Sequence, residues 1–424
     1  MTVHRRQATR MGIGLLAACL TLNACGRSEG GAADTPKAVK SGAAKGTLTV
    51  WAMGGEGDNL PKLAKDFEAA NPGVRVKVTS MPWNAAHDKL AGAVAAGTTP
   101  DISLVGTTWM PEFARSGALD PVPSLVDTSK FFPAAMEPVT VGGKVYGVPW
   151  YVDTRPLFYR SDLAQQAGIT KAPETWDELK AAARTYVDKA NTKYGIFLPP
   201  GKAGSGQVLL PLLWQQGGDV IGTDGKFTLD TPEMVAALKY YKSFFDEKLA
   251  PKSFQQGDVE RWFTKGELGM VFTGPWMVGQ FTSIGGAGFD RKFAVAKVPG
   301  ETTRTSFAGG ADLVVFKNAE NRDAAWKFVR WLSEPDVQVK WYAIQKGLPS
   351  VQSAWKDPSL KGDAKMAAFG DQMSEAKAPP AIATWEQVNQ MIEDEIEKVV
   401  IGGEKPEDAA STMQEKATAI GTGG

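Results

Sequence analysis

Hydrophobic positions recur along this chain with two periods, and each change of period marks an element. The run Thr47-Leu48-Thr49-Val50-Trp51 reads as a strand. Gly54-Gly55-Glu56-Gly57 then reads as a loop. Leu60, Leu63, Ala64 and Phe67 follow at i, i+3, i+4 and i+7, one face of a helix. Asp58 or Asn59 is its expected cap and Asn71-Pro72-Gly73 its stop. Val74, Val76 and Val78 alternate with Arg75, Lys77 and Thr79, which predicts a half-buried strand. A second helix over 84–96 and a third strand over 101–105 complete a strand-helix-strand-helix-strand order, so the class is α/β with parallel pairing. The alternation continues downstream. Thr175-Trp176-Asp177-Glu178 is a capping box, and Asp230-Thr231-Pro232-Glu233 opens another helix. Thr384-Trp385-Glu386-Gln387 is a second capping box, which places Trp385 at the first helical position; Val388, Met391, Ile392, Ile396 and Val399 are the buried face behind it.

The N-terminus is read separately. Arg5, Arg6 and Arg10 precede an apolar stretch over Met11–Leu22. A stretch this short falls below the ~20 residues a spanning helix needs and fits the h-region of an export signal. Leu22-Asn23-Ala24-Cys25 resembles a bacterial lipobox, which implies a signal peptide over 1–24 and acylation of Cys25. A twin-arginine signal at Arg5-Arg6 and a plain secretory signal cut elsewhere remain open; each puts the protein outside the cytoplasm. Residues 26–45 hold almost nothing to bury and are expected to form a tether reaching ~25 Å.

Composition narrows the chemistry. The 424 residues are 43% hydrophobic, ample for a core and for more than one lobe. Only Cys19 and Cys25 are present, which excludes a disulfide framework, a cysteine metal site and a thiol nucleophile. Lys+Arg and Asp+Glu both number 47, and no basic block is interleaved with aromatics, so nucleic acid is not an expected partner. His87 is the one histidine beyond the signal and reads as a surface residue on a helix. No G-x-S-x-G, H-E-x-x-H or Walker A pattern occurs, Asp224-Gly225 lacks the spaced carboxylates of a Ca²⁺ loop, and neither metal nor cofactor is expected. Thirteen tryptophans stand out, because a flat apolar ring suits the C–H face of a sugar as well as a core.

Ordered motifs then carry a family resemblance over nearly all of 46–415. They are Gly97-Thr98-Thr99-Pro100-Asp101-Ile102, Ser116-Gly117-Ala118-Leu119, Lys144-Val145-Tyr146-Gly147-Val148-Pro149 and Phe158-Tyr159. Gly217-Gly218-Asp219, Phe263-Thr264-Lys265-Gly266-Glu267-Leu268-Gly269-Met270, Gly274-Pro275-Trp276, Gly309-Gly310, Ala324-Ala325-Trp326-Lys327-Phe328 and Leu348-Pro349-Ser350 follow in the same order. In this the chain resembles the maltose-binding-protein-like solute-binding proteins of carbohydrate ABC importers.

The resemblance implies a type II two-lobe fold with a mainly parallel, helix-flanked sheet in each lobe. Lobe I is expected at 46–152 plus 312–346 and lobe II at 153–311 plus 347–424, with crossings near 150–155, 306–312 and 346–350. It implies a di- or oligosaccharide held between the lobes and handed to membrane permease subunits by a lipid-anchored, extracytoplasmic monomer without catalysis. The residues matching sugar contacts are Trp276 and Trp385 as stacking rings, Trp109 and Thr108 at a strand end, Asp153 and Arg155 at the first crossing, Glu56, Gly310 and Asp312. A secreted carbohydrate-active enzyme using Asp153 and Glu56, and a sugar sensor uncoupled from transport, are the alternative readings.

Overall fold

The computed structural model describes residues 36–202 and 204–423. The expected signal over 1–24 and Cys25 lie outside the described residues. The strands in chain order are β1 (Gly46–Met53), β2 (Val74–Met81), β3 (Ile102–Gly106), β4 (Thr140–Val141), β5 (Lys144–Val145), β6 (Val148–Thr154) and β7 (Leu157–Tyr159). They continue as β8 (Tyr194–Phe197), β9 (Leu268–Phe272), β10 (Ala294–Ala296), β11 (Ser306–Val315), β12 (Leu348–Pro349) and β13 (Ala376–Lys377). One sheet has the order β12-β6-β11-β3-β1-β2 with β13 added to β11; a second has the order β10-β7-β9-β8; β4 and β5 form a separate hairpin.

The βαβ units expected at the start are present: β1 pairs in parallel with both β2 and β3. Beyond them the sheets are mixed, not mainly parallel. β11 is antiparallel to β3 and to β6, β12 is antiparallel to β6, and β7 is antiparallel to β9 and β10. The reason lies in the connections. The chain leaves the first sheet at the end of β6 and enters the second at β7 across Arg155-Pro156, then returns along β11, so returning strands meet departing ones head to tail. β3 and β6 are buried at every residue, as strands flanked on both edges and covered on both faces must be.

Side chains tie β6 to the segment that follows β12. Gln338 is buried and donates from Nε2 to the carbonyl of Trp150 at 3.0 Å and to Ser350 Oγ at 2.9 Å. Its Oε1 accepts from the Val351 amide at 3.0 Å. All of its polar atoms are thereby used in binding β6 to the segment after β12, which offsets the cost of burying an amide. Beneath them Trp150 and Trp341 stack with centroids 4.5 Å apart.

Four local expectations change. The helix after β1 spans Gly54–Ala70, so Gly54-Gly55-Glu56-Gly57 is its first turn and not a loop. A Cβ at Gly57 would lie 2.7 Å from the Ala52 carbonyl oxygen, so glycine lets this turn sit directly on the strand. Asp58 and Asn59 do not cap it: Asp58 accepts from Ser80 Oγ, and Asn59 bonds the Gly55 carbonyl and Gln345 Oε1. At the other end, Thr384 forms no cap, because its hydroxyl bonds the Gly421 carbonyl instead. Finally, the C-terminal part of the expected tether is fixed to the protein. The Lys37 carbonyl accepts from Arg322 at 2.8 Å, the Ala44 amide donates to Asn71 Oδ1 at 3.1 Å, and Ala44 is buried. No helix among the described residues is long and apolar enough to cross a membrane.

Candidate functional site

A cavity of about 580 Å³ opens where the C-terminal ends of β1, β2 and β3 face the second sheet's helices. Open α/β sheets place ligands at this edge, beyond the strand ends where the connecting turns supply side chains. β1 delivers Gly54, Gly55 and Glu56; the turn after β2 delivers Trp83; the turn after β3 delivers Gly106 to Trp109. β6 adds Tyr151 and Asp153 with Arg155 just past its end, and β11 adds Phe307, Gly309 and Gly310. From the facing side come Gln207, Trp276 and Gln280.

Arg155 organises the wall at the first crossing. Its Nη1 donates to Asp153 Oδ1 at 2.6 Å, and its Nε donates to Gln207 Oε1 at 3.2 Å. The guanidinium carbon stands 4.8 Å from the centre of the Trp276 ring and 5.7 Å from that of Phe307. The Arg155–Asp153 pair is largely buried, where charge-assisted bonds are strong and the geometry is rigid. One face of Trp276 is thus covered by a cation. Trp276 itself begins the helix Trp276–Gly285, and a Cβ at Gly274 would lie 2.0 Å from its ring, so the Gly-Pro turn leaves room for the indole to fold back. Opposite Asp153 in the ladder, Gly309 is also required: a Cβ there would lie 2.8 Å from Asp153 Oδ1. Gly310 has φ +141°, and a Cβ on it would come within 2.3 Å of the Tyr151 carbonyl oxygen.

Glu56 faces this wall from the first turn of its helix. Burial raises its pKa and the charge of Asp153 raises it further, against hydrogen bonds from its own amide, Trp83 and Tyr151. Tyr151 is buried; its phenol is pushed well above the ordinary range by burial and by the carboxylates Glu56 and Asp153. Among the described residues, no Lys or Arg forms an ion pair with Glu56, whose bonding partners are all neutral.

At the rim, Thr108 Oγ1 donates to Glu386 Oε1 at 2.6 Å, a bond between residues 278 apart in sequence. Burial raises the pKa of Glu386. His87 is more than the surface residue expected. Its ring lies 5.3 Å from Trp109 and 5.7 Å from Phe113, and Nε2 is 2.8 Å from Glu112, a partner that raises its pKa.

Of the expected contact residues, Glu56, Thr108, Trp109, Asp153, Arg155, Trp276 and Gly310 line this one cavity. Two do not. Trp385 is only 2% exposed and packs in the core behind the second sheet with Val388 and Ile392. It does begin its helix, but its ring turns inward because the apolar stripe it belongs to is the buried one. Asp312 is 1% exposed and lines a small separate void with Thr107 and Tyr151. The ladder with β6 shifts register between Ala311 and Asp312, where Trp150 is the extra residue on β6, while the ladder of β11 with β3 runs on unbroken. Trp83, absent from the expected contacts, lines the cavity and meets Trp109 edge to face at 5.5 Å. Tyr151 was legible by a different signal: it stands two residues before Asp153 on a strand, hence on the same face. Gln207, Gln280 and Gln345 carry no such mark.

Among the described residues, no group of three or more His, Cys, Asp or Glu side chains is placed to hold a metal ion.

Comparison with known proteins gives three consistent results. The model of the family described as bacterial extracellular solute-binding protein matches residues 53–339. A putative binding protein of Brucella abortus is 28% identical over 372 residues, covering 86% of this chain and 90% of its own length. The diacetylchitobiose binding protein DasA of Streptomyces coelicolor is 28% identical over 423 residues, covering 95% of this chain and 96% of its own. Among solved structures, the sugar-binding protein MalE of Xanthomonas citri superposes with a TM-score of 0.79 at 35% identity, covering 88% of this chain and 97% of that one.

Proposed function

Since the chain belongs to the bacterial extracellular solute-binding proteins, we propose that it captures a di- or oligosaccharide between its two lobes and delivers it to the permease subunits of an ABC importer. The observation that carries this reading is the cavity's mixture of surfaces. The ring of Trp276, with Trp83 and Trp109 across from it, offers apolar area for sugar C–H faces. The Asp153–Arg155–Gln207 group and Glu56 offer acceptors and donors for hydroxyls. A volume of about 580 Å³ is ample for more than one ring.

The same reading assigns 46–152 with 312–346 to one lobe and 153–311 with 347–424 to the other, closing on ligand about the strands that join them. It makes the protein a monomeric, extracytoplasmic lipoprotein acylated at Cys25, with no catalysis of its own. Asp153 supports the last point: a carboxylate committed to Arg155 at 2.6 Å is poorly suited to act as acid or nucleophile.

Isothermal titration of the purified protein against mono-, di- and trisaccharides of both linkages tests the proposal. Binding of one saccharide class, weakened at least ~100-fold in Trp276→Ala, is the expected outcome. A panel without heat in any titration sinks it, and release of reducing sugar during the run would make the protein an enzyme.

A further inference from the structure

Three of the side chains that line the cavity are carboxylic or guanidinium groups: Glu56, Asp153 and Arg155. The remaining polar groups that line it are amides, hydroxyls and indoles. Arg155 donates from Nη1 to Asp153 and from Nε to Gln207, with the Trp276 and Phe307 rings against its plane. Its charge is therefore already offset by Asp153. Glu56 is held only by Trp83, Tyr151 and its own amide. The charge left without a counter-charge in the cleft is thus negative, and it is fixed to the first turn of a helix that packs tightly on β1.

From this geometry we infer that the cleft selects its saccharide by charge, with Glu56 as the specificity-determining residue: sugars bearing a basic amine are favoured, neutral sugars accepted, and uronic or phosphorylated sugars rejected. The inference rests on the saccharide reading above and deepens it. An ammonium beside Glu56 gains an ion pair with a half-buried carboxylate, and it relieves the mutual repulsion between Glu56 and Asp153. An anionic sugar would bring a third carboxylate or a phosphate to a wall whose cation already pairs with Asp153. The raised pKa of Glu56, caused first by burial and then reinforced by Asp153, is the behaviour of a carboxylate lacking such a partner.

The test uses maltose, trehalose and cellobiose as scaffolds, each titrated as the neutral sugar, an amino-deoxy analogue and a uronic acid analogue at pH 7 and low salt. On whichever scaffold binds, the amine should bind at least as tightly as the neutral sugar. The uronate should bind on the order of tenfold or more weakly, and the spread should narrow as salt is added. In Glu56→Gln the amine-to-uronate ratio should collapse toward one, whatever happens to the affinity for the neutral sugar. A uronate that binds as well as the neutral form overturns the inference while leaving saccharide binding intact. So does a ratio that persists in folded Glu56→Gln. Should that variant not fold, a wild-type spread indifferent to salt overturns it equally. If no scaffold binds in any charge state but another sugar of the panel does, the same three charge states of that sugar decide the question; if no sugar binds, the saccharide reading itself falls and takes this inference with it.

Discussion

Asp312 is the residue at which sequence and structure part most sharply, and its physics is testable in isolation. Its Oδ2 is buried without a hydrogen-bond partner, and burial pushes its pKa up to about 8, opposed only by a bond from Thr107. A carboxyl raised in the folded state contributes full stability below its ordinary value near ~4, and that contribution is lost as pH rises toward about 8. Asp312→Asn keeps an acceptor for Thr107 but cannot ionise. The variant should match the wild type at pH 4 and exceed it increasingly from pH 5 to 8, by ~1 kcal/mol or more at pH 7. Thermal melts across that range check this; a gap independent of pH would show that ionisation is not the cause. Asp312 entered the expected contacts through the family resemblance, beside Gly309 and Gly310, with a structural role as the other reading. The irregularity opposite it is invisible to periodicity, because the extra residue, Trp150, sits on β6, far from Asp312 in sequence.

At the scale of elements, the helix Trp385–Glu397 separates what a pattern can say from what it cannot. Its start and its buried stripe of Val388, Met391, Ile392 and Ile396 were legible from spacing alone. The direction of Trp385 was not, because a residue at the first helical position may point along the helix face or away from it, and only the packed partner decides. The early β1–β3 units were legible for the same reason as the stripe, being local repeats. The antiparallel returns of β11 and β12 were not, since their partners lie far away in sequence. The element assignment yields a contrast: Trp385→Ala should cost ~3–5 kcal/mol of stability in denaturant unfolding. Trp276→Ala, with its ring at the cavity wall, should cost much less stability and principally affect ligand binding. Equal destabilisation of the two would contradict the placement of Trp385.

The molecule as a whole is bridged at the cleft rim by Thr108 and Glu386, one following β3 of the first sheet and the other on a helix packed behind the second. Thr108→Val removes the donor while keeping the shape. In ligand-free solution the radius of gyration should rise from a compact value near ~21 Å, with the circular dichroism spectrum unchanged. Superimposable scattering curves for variant and wild type would mean the bond does not restrain the lobes. What any such opening can look like is set by the strands that join the sheets. β12, β6 and β11 lie side by side and are laddered to one another, with Gln338 fastening β6 to the segment after β12. Three hydrogen-bonded strands cannot slide past one another without breaking their ladder. On the proposed closure they move together, so a change of angle at one of them is imposed on the other two.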